Sequence, residues 1–275
     1  MKKNCLVVVG CVLVLAGVVS AGYVPAGVTG LWRFQTSADK MTATVGTDMV
    51  NSNVDNGGWF SGPWTTIGTT ADPLLFSDGG VVQSRSWDYF TVYHGIAANG
   101  GGSYVNQYTV AMDYVQTSGL TTWNSLFQTA GNAHANDGDL WTDGAGHIGV
   151  GVTGYSTLTY DASKWHRIVL SVDNANFFRV YVDGVLFLDA AGQGVDGRFS
   201  LNDNFHLFAD DSWEDQWGLV GTVAAWNRAL TTDEIAQMGG WLDGSATPTA
   251  LYIVPEPATM ALLGLGGLAL IKRRK

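Results

Sequence analysis

The chain is short of cysteine and lysine, and each shortage excludes a class of structure or function. Both cysteines, Cys5 and Cys11, lie within residues 1–21 of the 275-residue chain. The rest of the chain can therefore form no disulfide, so a hydrophobic core has to stabilise it. Residues 22–254 contain only Lys40 and Lys164 as lysines, and so few ammonium groups argue against nucleic acid or anionic lipid as a partner.

Charge is distributed unevenly along the chain. Six of the 14 basic residues lie in residues 1–21 and 255–275, whereas only one of the 24 acidic residues, Glu256, does. The body, residues 22–254, therefore carries 23 acids against 8 bases, a formal net charge of −15. Such an excess of carboxylates suits cation binding or keeps the protein soluble.

Residues 1–21 have the three parts of a secretory signal peptide. A basic start at Lys2 and Lys3 precedes an apolar run over residues 6–19 and a small-residue end, so we expect signal peptidase to remove this segment. A retained membrane helix is one alternative, although the apolar run is shorter than the roughly 20 residues that a bilayer requires. Acylation at Cys11 is another, and the residues before it are poor for a lipobox.

Residues 165–189 read as three consecutive antiparallel strands. Asp183 and Gly184 predict a type I′ hairpin turn, which needs positive φ at both positions. Such a turn pairs Val182 with Val185 and, two residues further on, Val180 with Phe187. The pattern places Phe178, Val180, Val182, Val185 and Phe187 toward the core, and Arg179, Tyr181, Leu186 and Leu188 on the other face. Because that second face is too apolar for free solvation, we expect loops to cover it or a binding groove to use it.

The first of these strands contributes Ile168, Leu170 and Val172 as its apolar set. A loop of three or five residues around Asn174 would join this set to the core-facing residues of the next strand. A four-residue loop would turn one set to the wrong face.

Alternating polarity predicts further strands in the rest of the chain. Residues 104–115 read as a half-buried strand and residues 218–226 as the last strand, with shorter ones at 31–34, 125–129, 140–141, 147–152, 199–201 and 205–209. Thr231 and Glu234 have the spacing of a capping box, which predicts a short helix ended by Gly239. The fold class is therefore all-β, a two-sheet antiparallel jelly-roll sandwich with one short helix near its C-terminal end.

Several stretches resemble the laminin G-like branch of the concanavalin A-like lectin/glucanase jelly rolls. They are Trp165-His166, residues 180–184 and 226–235, and residues 97–102 leading into 106–109, which are similar to bacterial secreted members. The resemblance covers residues 28–240. It implies two curved antiparallel sheets, often with a calcium ion near loops on one rim.

Residues 255–275 resemble the PEP-CTERM sorting signal in its three parts and their order. Pro255, Glu256 and Pro257 are the motif, residues 258–271 a transmembrane sorting helix and residues 272–275 a basic end, with 241–254 as a linker. The resemblance implies cleavage by an exosortase after a transient stay in the inner membrane. Delivery to the cell surface or to an exopolysaccharide matrix would follow, and an ordinary C-terminal anchor is the alternative.

The sequence offers little for catalysis. Glycoside hydrolysis needs two carboxyl groups at a set separation, and the capping box and the sorting motif account for Glu234 and Glu256. That leaves Glu214, with Asp211 and Asp215 as its candidate partners. No nucleophile elbow, phosphate loop or metal-binding histidine spacing occurs, so we expect no enzyme.

Two acidic loops offer the hard oxygen ligands that calcium prefers. The candidate calcium ligands are Asp137, Asp139, Asp143, Asp210 and Asp211, and solvated surface turns are the alternative. Trp213 and Trp217 bracket the second loop and, with Glu214, are the candidate sugar-binding residues. Packing of Trp217 into the core is the alternative for that residue.

These observations favour a non-catalytic secreted surface or exopolysaccharide-matrix protein that binds glycan or another matrix polymer. Two further functions stay open. One is a purely structural or adhesive matrix module without a small-ligand site, and the other is a polysaccharide-active enzyme that uses Asp211, Glu214 and Asp215. Convergence of these carboxylates in a cleft beside exposed tryptophans would be the most informative observation.

Overall fold

The computed structural model describes residues 24–34, 41–52, 82–84, 88–129, 136–212 and 214–241. These residues form fifteen strands and one helix. In chain order they are β1 (Val28–Trp32), β2 (Ala43–Val45), β3 (Val50–Asn51), β4 (Val82–Ser84), β5 (Phe90–Val92), β6 (Gln107–Gln116), β7 (Asn124–Gln128), β8 (Leu140–Thr142), β9 (Ile148–Val150), β10 (Gly154–Tyr155), β11 (His166–Asp173), β12 (Phe177–Val182), β13 (Val185–Ala191), β14 (Phe205–Leu207), β15 (Gly218–Trp226) and α1 (Thr232–Met238).

The strands build two antiparallel sheets. The eight-stranded sheet has the order β13-β12-β11-β6-β15-β1-β2, with β4 paired to the start of β15. The seven-stranded sheet has the order β10-β9-β8-β7-β14-β5-β3. Two such sheets and one short helix confirm the predicted all-β sandwich.

The main hydrophobic core lies between the two sheets. β6 contributes Tyr108 and Tyr114 to it, and the facing sheet contributes Phe127 and Phe205. The rings of Tyr108 and Phe127 lie 6.2 Å apart, and those of Phe127 and Phe205 lie 5.1 Å apart. Removing apolar surface from water at about 25 cal/mol per Å² makes this layer the principal source of stability in a body without cysteine.

β6 is buried on both faces, which corrects the prediction of a half-buried strand. Thr109 and Asp113, on its outward face, are 0% and 1% exposed. Their polar groups are satisfied beneath a cover, because Thr109 Oγ1 donates to the carbonyl of Arg228 and Asp113 accepts two bonds from Arg167. Polar residues that bond to a covering segment look the same in the sequence as polar residues that face water.

The strands of residues 165–189 follow the prediction in their order, in the loop between β11 and β12 and in the turn between β12 and β13. Asp183 and Gly184 have φ of 52° and 80°, and Val182 pairs with Val185 across them. The loop between β11 and β12 has three residues, 174–176, since Asp173 pairs with Phe177. The shorter of the two loop lengths left open is therefore the one adopted.

A β-bulge in β13 overturns the predicted pairing beyond this turn. Tyr181 pairs with Leu186, but Val180 pairs with Leu188 rather than with Phe187. The extra residue lets Phe187 and Leu188 both contact the core between the sheets. Leu188, predicted to lie on the outward face, is therefore in the core and only 9% exposed. Val185, predicted to face the core, is 54% exposed.

A second apolar cluster covers the outward face of the eight-stranded sheet, as the apolar side chains there had predicted. Tyr181 and Leu186 pack in it against Ile235 and Met238 of α1. The helix begins at the predicted capping box, in which the Thr231 side chain accepts from the Glu234 backbone and the Glu234 side chain accepts from the Thr231 backbone.

The segment after α1 returns to the same sheet. Trp241 stacks on Trp165 with ring centroids 5.0 Å apart, and its backbone N–H donates to Asp183 Oδ1 at 2.9 Å. Arg167 donates to the carbonyl of Met238 at 2.6 Å and pairs with Asp113. We call this set of contacts the C-terminal clamp.

The predicted signal peptide, linker, sorting motif and sorting helix lie outside the described residues. Within those described, no helix is long and apolar enough to cross a membrane.

Candidate functional site

The outer face of the seven-stranded sheet, turned away from the core, carries the candidate site. Ile148 and Val150 of β9 point into the core, so Gly149 between them faces outward. Trp141 of β8 and Tyr155 of β10 pair with Gly149 from either side. Both aromatic side chains therefore lie on the outer side of these strands, where Trp141 is buried and both still contact the main hydrophobic core.

Trp123, just before β7, completes an aromatic cluster on this face. Its ring lies 5.2 Å from that of Tyr155 and 6.4 Å from that of Trp141. Trp123 is 41% exposed, whereas Trp141 is only 4% exposed. We call these three residues the aromatic platform, with Trp123 and Tyr155 as its accessible part and Trp141 as its support.

A loop at residues 136–139 lies against the platform. A side chain at Gly138 would meet Ser125 Oγ at 2.4 Å and Trp141 at 3.0 Å, so only glycine allows this approach. Arg198 fixes the loop by donating to Gly138 O at 3.0 Å and to Asp139 Oδ1 at 2.6 Å. The side-chain amide of Gln128 also donates to the carbonyl of Asn136.

The same loop brings one carboxylate to two from the loop after β14. Asp137, Asp210 and Asp211 each place an oxygen within 4.8 Å of the others. Asp210 is 1% exposed, and its Oδ2 accepts from the backbone N–H groups of Ser212 and Glu214 at 2.7 and 3.2 Å. We call the three aspartates the carboxylate cluster, and their hard oxygen donors fit a calcium ion.

The negative charge of this cluster raises the pKa values of Glu214 and Tyr155. Burial raises the pKa of Glu214, and the charges of Asp210, Asp137 and Asp211 raise it further. Burial raises the pKa of Asp137 as well, with Arg198 acting in the opposite direction. The pKa of Tyr155 is raised to about 12, first by burial and then by carboxylates that include Asp137 and Glu214. The platform and the cluster therefore form one electrostatic environment.

Two of the five predicted calcium ligands have other partners. Asp139 is 3% exposed and bonds to Arg198 and to the backbone and hydroxyl of Thr129 at 2.8 and 2.7 Å. Asp143 accepts from His147 Nδ1 at 2.8 Å and closes the turn before β9. The bonds to His147 lower the pKa of Asp143 against the opposing effect of burial. The structure thus brings Asp137, Asp210 and Asp211 together. Asp139 and Asp143 instead bond to neighbouring residues and stabilise their loops.

The predicted sugar-binding residues are only partly brought to this site. Glu214 lies beside the cluster, and its carbonyl accepts from the N–H of Ser125 at 2.8 Å. Trp217 is 39% exposed, and its carbonyl accepts from the N–H of Thr117, so it is not a core residue. Trp213 lies outside the described residues.

The aromatic platform was not predicted from the sequence. Trp123 and Trp141 precede or lie within short predicted strands, and Tyr155 lies in a two-residue strand. The sequence did contain one signal. Trp141 and Gly149 are each the middle residue of a short strand, so each faces away from its two neighbours. That pattern leaves open which face of the sheet is outward.

Comparisons with known proteins agree with this fold. The description "Concanavalin A-like lectin/glucanases superfamily" matches residues 103–236, and the PEP-CTERM protein-sorting motif matches residues 254–275. No curated protein matches the chain.

Solved structures are similar in fold at low sequence identity. Domain 4 of AbnA, a GH43 extracellular arabinanase from Geobacillus stearothermophilus in complex with arabinotriose, is 17% identical with a TM-score of 0.51, over 78% of this chain and 98% of that one. The botulinum neurotoxin serotype D binding domain is 12% identical with a TM-score of 0.49, over 76% of this chain and 50% of that one. Trypanosoma rangeli sialidase is 16% identical with a TM-score of 0.46, over 58% and 27%.

Residues 103–236 therefore match the family model of the concanavalin A-like lectin/glucanases superfamily, and the PEP-CTERM motif at residues 254–275 indicates export and membrane-associated sorting to the cell surface.

Proposed function

We propose that the sandwich domain binds glycan on the aromatic platform and that the protein acts, without catalysis, at the cell surface or in an exopolysaccharide matrix. The observation that carries this proposal is the exposed ring of Trp123, held beside Tyr155 and next to the carboxylate cluster. Sugar rings present apolar C–H faces that stack on aromatic side chains, and polar groups at the edge fix their orientation.

The similar domain of the arabinanase adds support, because its solved structure holds arabinotriose. Export also supports the proposal, since the sorting motif brings the domain to the surface where polysaccharide is present. We further propose that signal peptidase removes residues 1–21, that the helix of residues 258–271 enters the inner membrane, and that an exosortase cleaves near Pro255, Glu256 and Pro257.

The test is binding of the full chain to a glycan array, followed by titration calorimetry with the best ligand. Trp123→Ala should weaken binding about 2- to 12-fold, since aromatic stacking contributes roughly 0.5–1.5 kcal/mol. Tyr104→Ala is the matched control, because Tyr104 is 43% exposed but lies in another loop, and it should bind normally.

Other outcomes would favour the other functions. Absence of binding across the array, with no shift of melting temperature, would favour a purely structural or adhesive module. Cleavage of a polysaccharide that is abolished by Glu214→Gln would favour an enzyme, for which the raised pKa of Glu214 is the specific observation.

Calcium is a second proposal for this site. Asp137, Asp210 and Asp211 would supply its oxygen ligands, and the ion would neutralise their mutual repulsion. We expect millimolar calcium to raise the melting temperature of the full chain and to have no effect on Asp210→Asn. An equal calcium response in Asp210→Asn and the unmodified chain, measured by scanning calorimetry, would contradict it.

A further inference from the structure

The acidic side chains of the carboxylate cluster outnumber the arginine that pairs with it among the described residues. Arg198 bonds to Asp139 and Gly138, and its closest approach to Asp137 is 3.7 Å. The surroundings add further acid, because Glu214 lies beside the cluster. A ligand that enters this part of the face therefore meets an excess of carboxylate.

The aromatic platform favours the same sign of charge in a ligand. The faces of tryptophan and tyrosine rings are electron-rich and attract cations within about 6 Å of the ring centre. Trp123 is 41% exposed and its ring lies 5.2 Å from that of Tyr155, which is close enough to the cluster for the charge of Asp137 to raise its pKa. Two groups of different chemistry thus both favour a cation.

The floor of this face adds a polar atom that needs a partner. Gln128 pairs with His206, and the neighbours of His206, Phe205 and Leu207, point into the core, so Gln128 lies on the outer face. Gln128 is 0% exposed, and its Oε1 has no hydrogen-bond partner in the part of the chain that the structure describes. Its amide nitrogen bonds to Asn136, next to Asp137, so this unpaired acceptor belongs to the side chain that holds the loop of the cluster.

We propose that the glycan bound on this face is cationic, a polysaccharide whose sugars carry free amino groups, such as a partly de-N-acetylated hexosamine polymer. This rests on the proposed glycan-binding function and names its ligand class. The sugar ring stacks on Trp123 and Tyr155, and its ammonium group donates to the carboxylates of Asp137 and Asp211.

Other charge classes fit this face less well. The carboxylates of a uronic acid polymer would be repelled by the cluster, and a neutral sugar would leave the repulsion among the aspartates unrelieved. Calcium would occupy the same oxygens as the ammonium group, so calcium and the cationic glycan compete.

The experiment compares three hexamers with the same β-1,4 backbone, measured on the full chain in low salt at mildly acidic pH, where sugar amines are protonated. They are the glucosamine hexamer, the N-acetylglucosamine hexamer and cellohexaose. We expect the glucosamine hexamer to bind about tenfold more tightly than the other two, the ratio that two partly exposed ion pairs provide. Added salt and added calcium should both reduce this preference.

Variants assign the preference to the cluster. Asp137→Asn and Asp211→Asn should each lower severalfold the ratio of the cellohexaose dissociation constant to the glucosamine-hexamer dissociation constant. Asp203→Asn, which removes an exposed acid from the loop before β14, is the matched control and should keep the full preference. Trp123→Ala should weaken all three hexamers.

Each remaining result would overturn the inference in a distinguishable way. Equal or tighter binding of the uncharged hexamers overturns the cationic ligand class and leaves glycan binding standing. Binding of pentalysine that equals binding of the glucosamine hexamer and survives Trp123→Ala would show a general cation site instead. Failure to bind any hexamer overturns the ligand class, and the glycan array then decides on the proposed function separately.

Discussion

Arg167 is a buried arginine whose removal should have a large effect on stability. It is 1% exposed, bonds to Asp113 at 2.8 and 3.0 Å and donates to the carbonyl of Met238. Arg167→Ala would leave the Asp113 carboxylate buried without its cation, and we expect a loss of about 3–5 kcal/mol in the free energy of unfolding. Urea denaturation measures it.

Arg179 provides the control for this prediction. It forms a two-bond pair with Asp189 of similar geometry, at 2.7 and 3.3 Å, but on the surface. Arg179→Ala should change the free energy of unfolding by no more than about 1 kcal/mol. Equal losses in the two variants would contradict the role assigned to burial.

At the scale of single residues, the sequence indicated which acidic side chains could act as ligands, but not which of them would pair with other residues instead. The acidic loops were predicted to supply calcium ligands, and the structure brings three of the five predicted aspartates together. Asp139 could not be separated from them, because its partner Arg198 is 59 residues away. Long-range pairing of this kind leaves no local pattern.

Among the elements, α1 depends on its first turn. The helix has seven residues, too few to be stable alone, so its cap and its packing must hold it. Thr231→Ala should cost about 1 kcal/mol in the free energy of unfolding. Gln237→Ala, on the exposed side of the same helix, should change it by less than about 0.5 kcal/mol, and a loss there as large as that of Thr231→Ala would contradict the role assigned to the cap.

Acid should weaken the same turn. The two bonds from Arg228 lower the pKa of Glu234 to about 2 from its ordinary value of 4.5; burial opposes this shift and the bonds from Thr231 add to it. Because folding lowers the pKa of Glu234, its ionised carboxylate stabilises the folded state at pH values above about 4.5. This stabilisation is lost as the pH falls from about 4.5 to about 2. The difference in melting temperature between the unmodified chain and Glu234→Gln should therefore shrink over this range.

The elements also show where local rules suffice. The turn at Asp183 and Gly184 and the capping box at Thr231 follow from residue chemistry within four positions, and both predictions are confirmed. The bulge at Phe187 was missed because it depends on how two neighbouring side chains fit a core built from other strands. The double burial of β6 was missed for the same reason.

For the whole molecule, sorting is the property to test. Glu256→Ala should leave the chain unprocessed and associated with the inner membrane, because the tail matches a protein-sorting motif centred on this region. Cell fractionation and mass spectrometry of the C-terminus measure the outcome. Thr247→Ala in the predicted linker is the control, and normal processing of Glu256→Ala would contradict the proposal.

The site is a property of the whole fold, which is why the sequence revealed only part of it. Trp123, Trp141 and Tyr155 come from separate strands or loops and meet only because the seven-stranded sheet places β7, β8, β9 and β10 side by side. Two sheets were predictable from strand spacing. Their strand order, and with it the identity of the outer face, was not.

The C-terminal clamp has a mechanical consequence. Because Trp241 is tied to Asp183 and stacked on Trp165, a pull on the tail enters the domain through the eight-stranded sheet. The aromatic platform belongs to the other sheet, so a force between the tail and a ligand on the platform would have to cross the hydrophobic core between the two sheets.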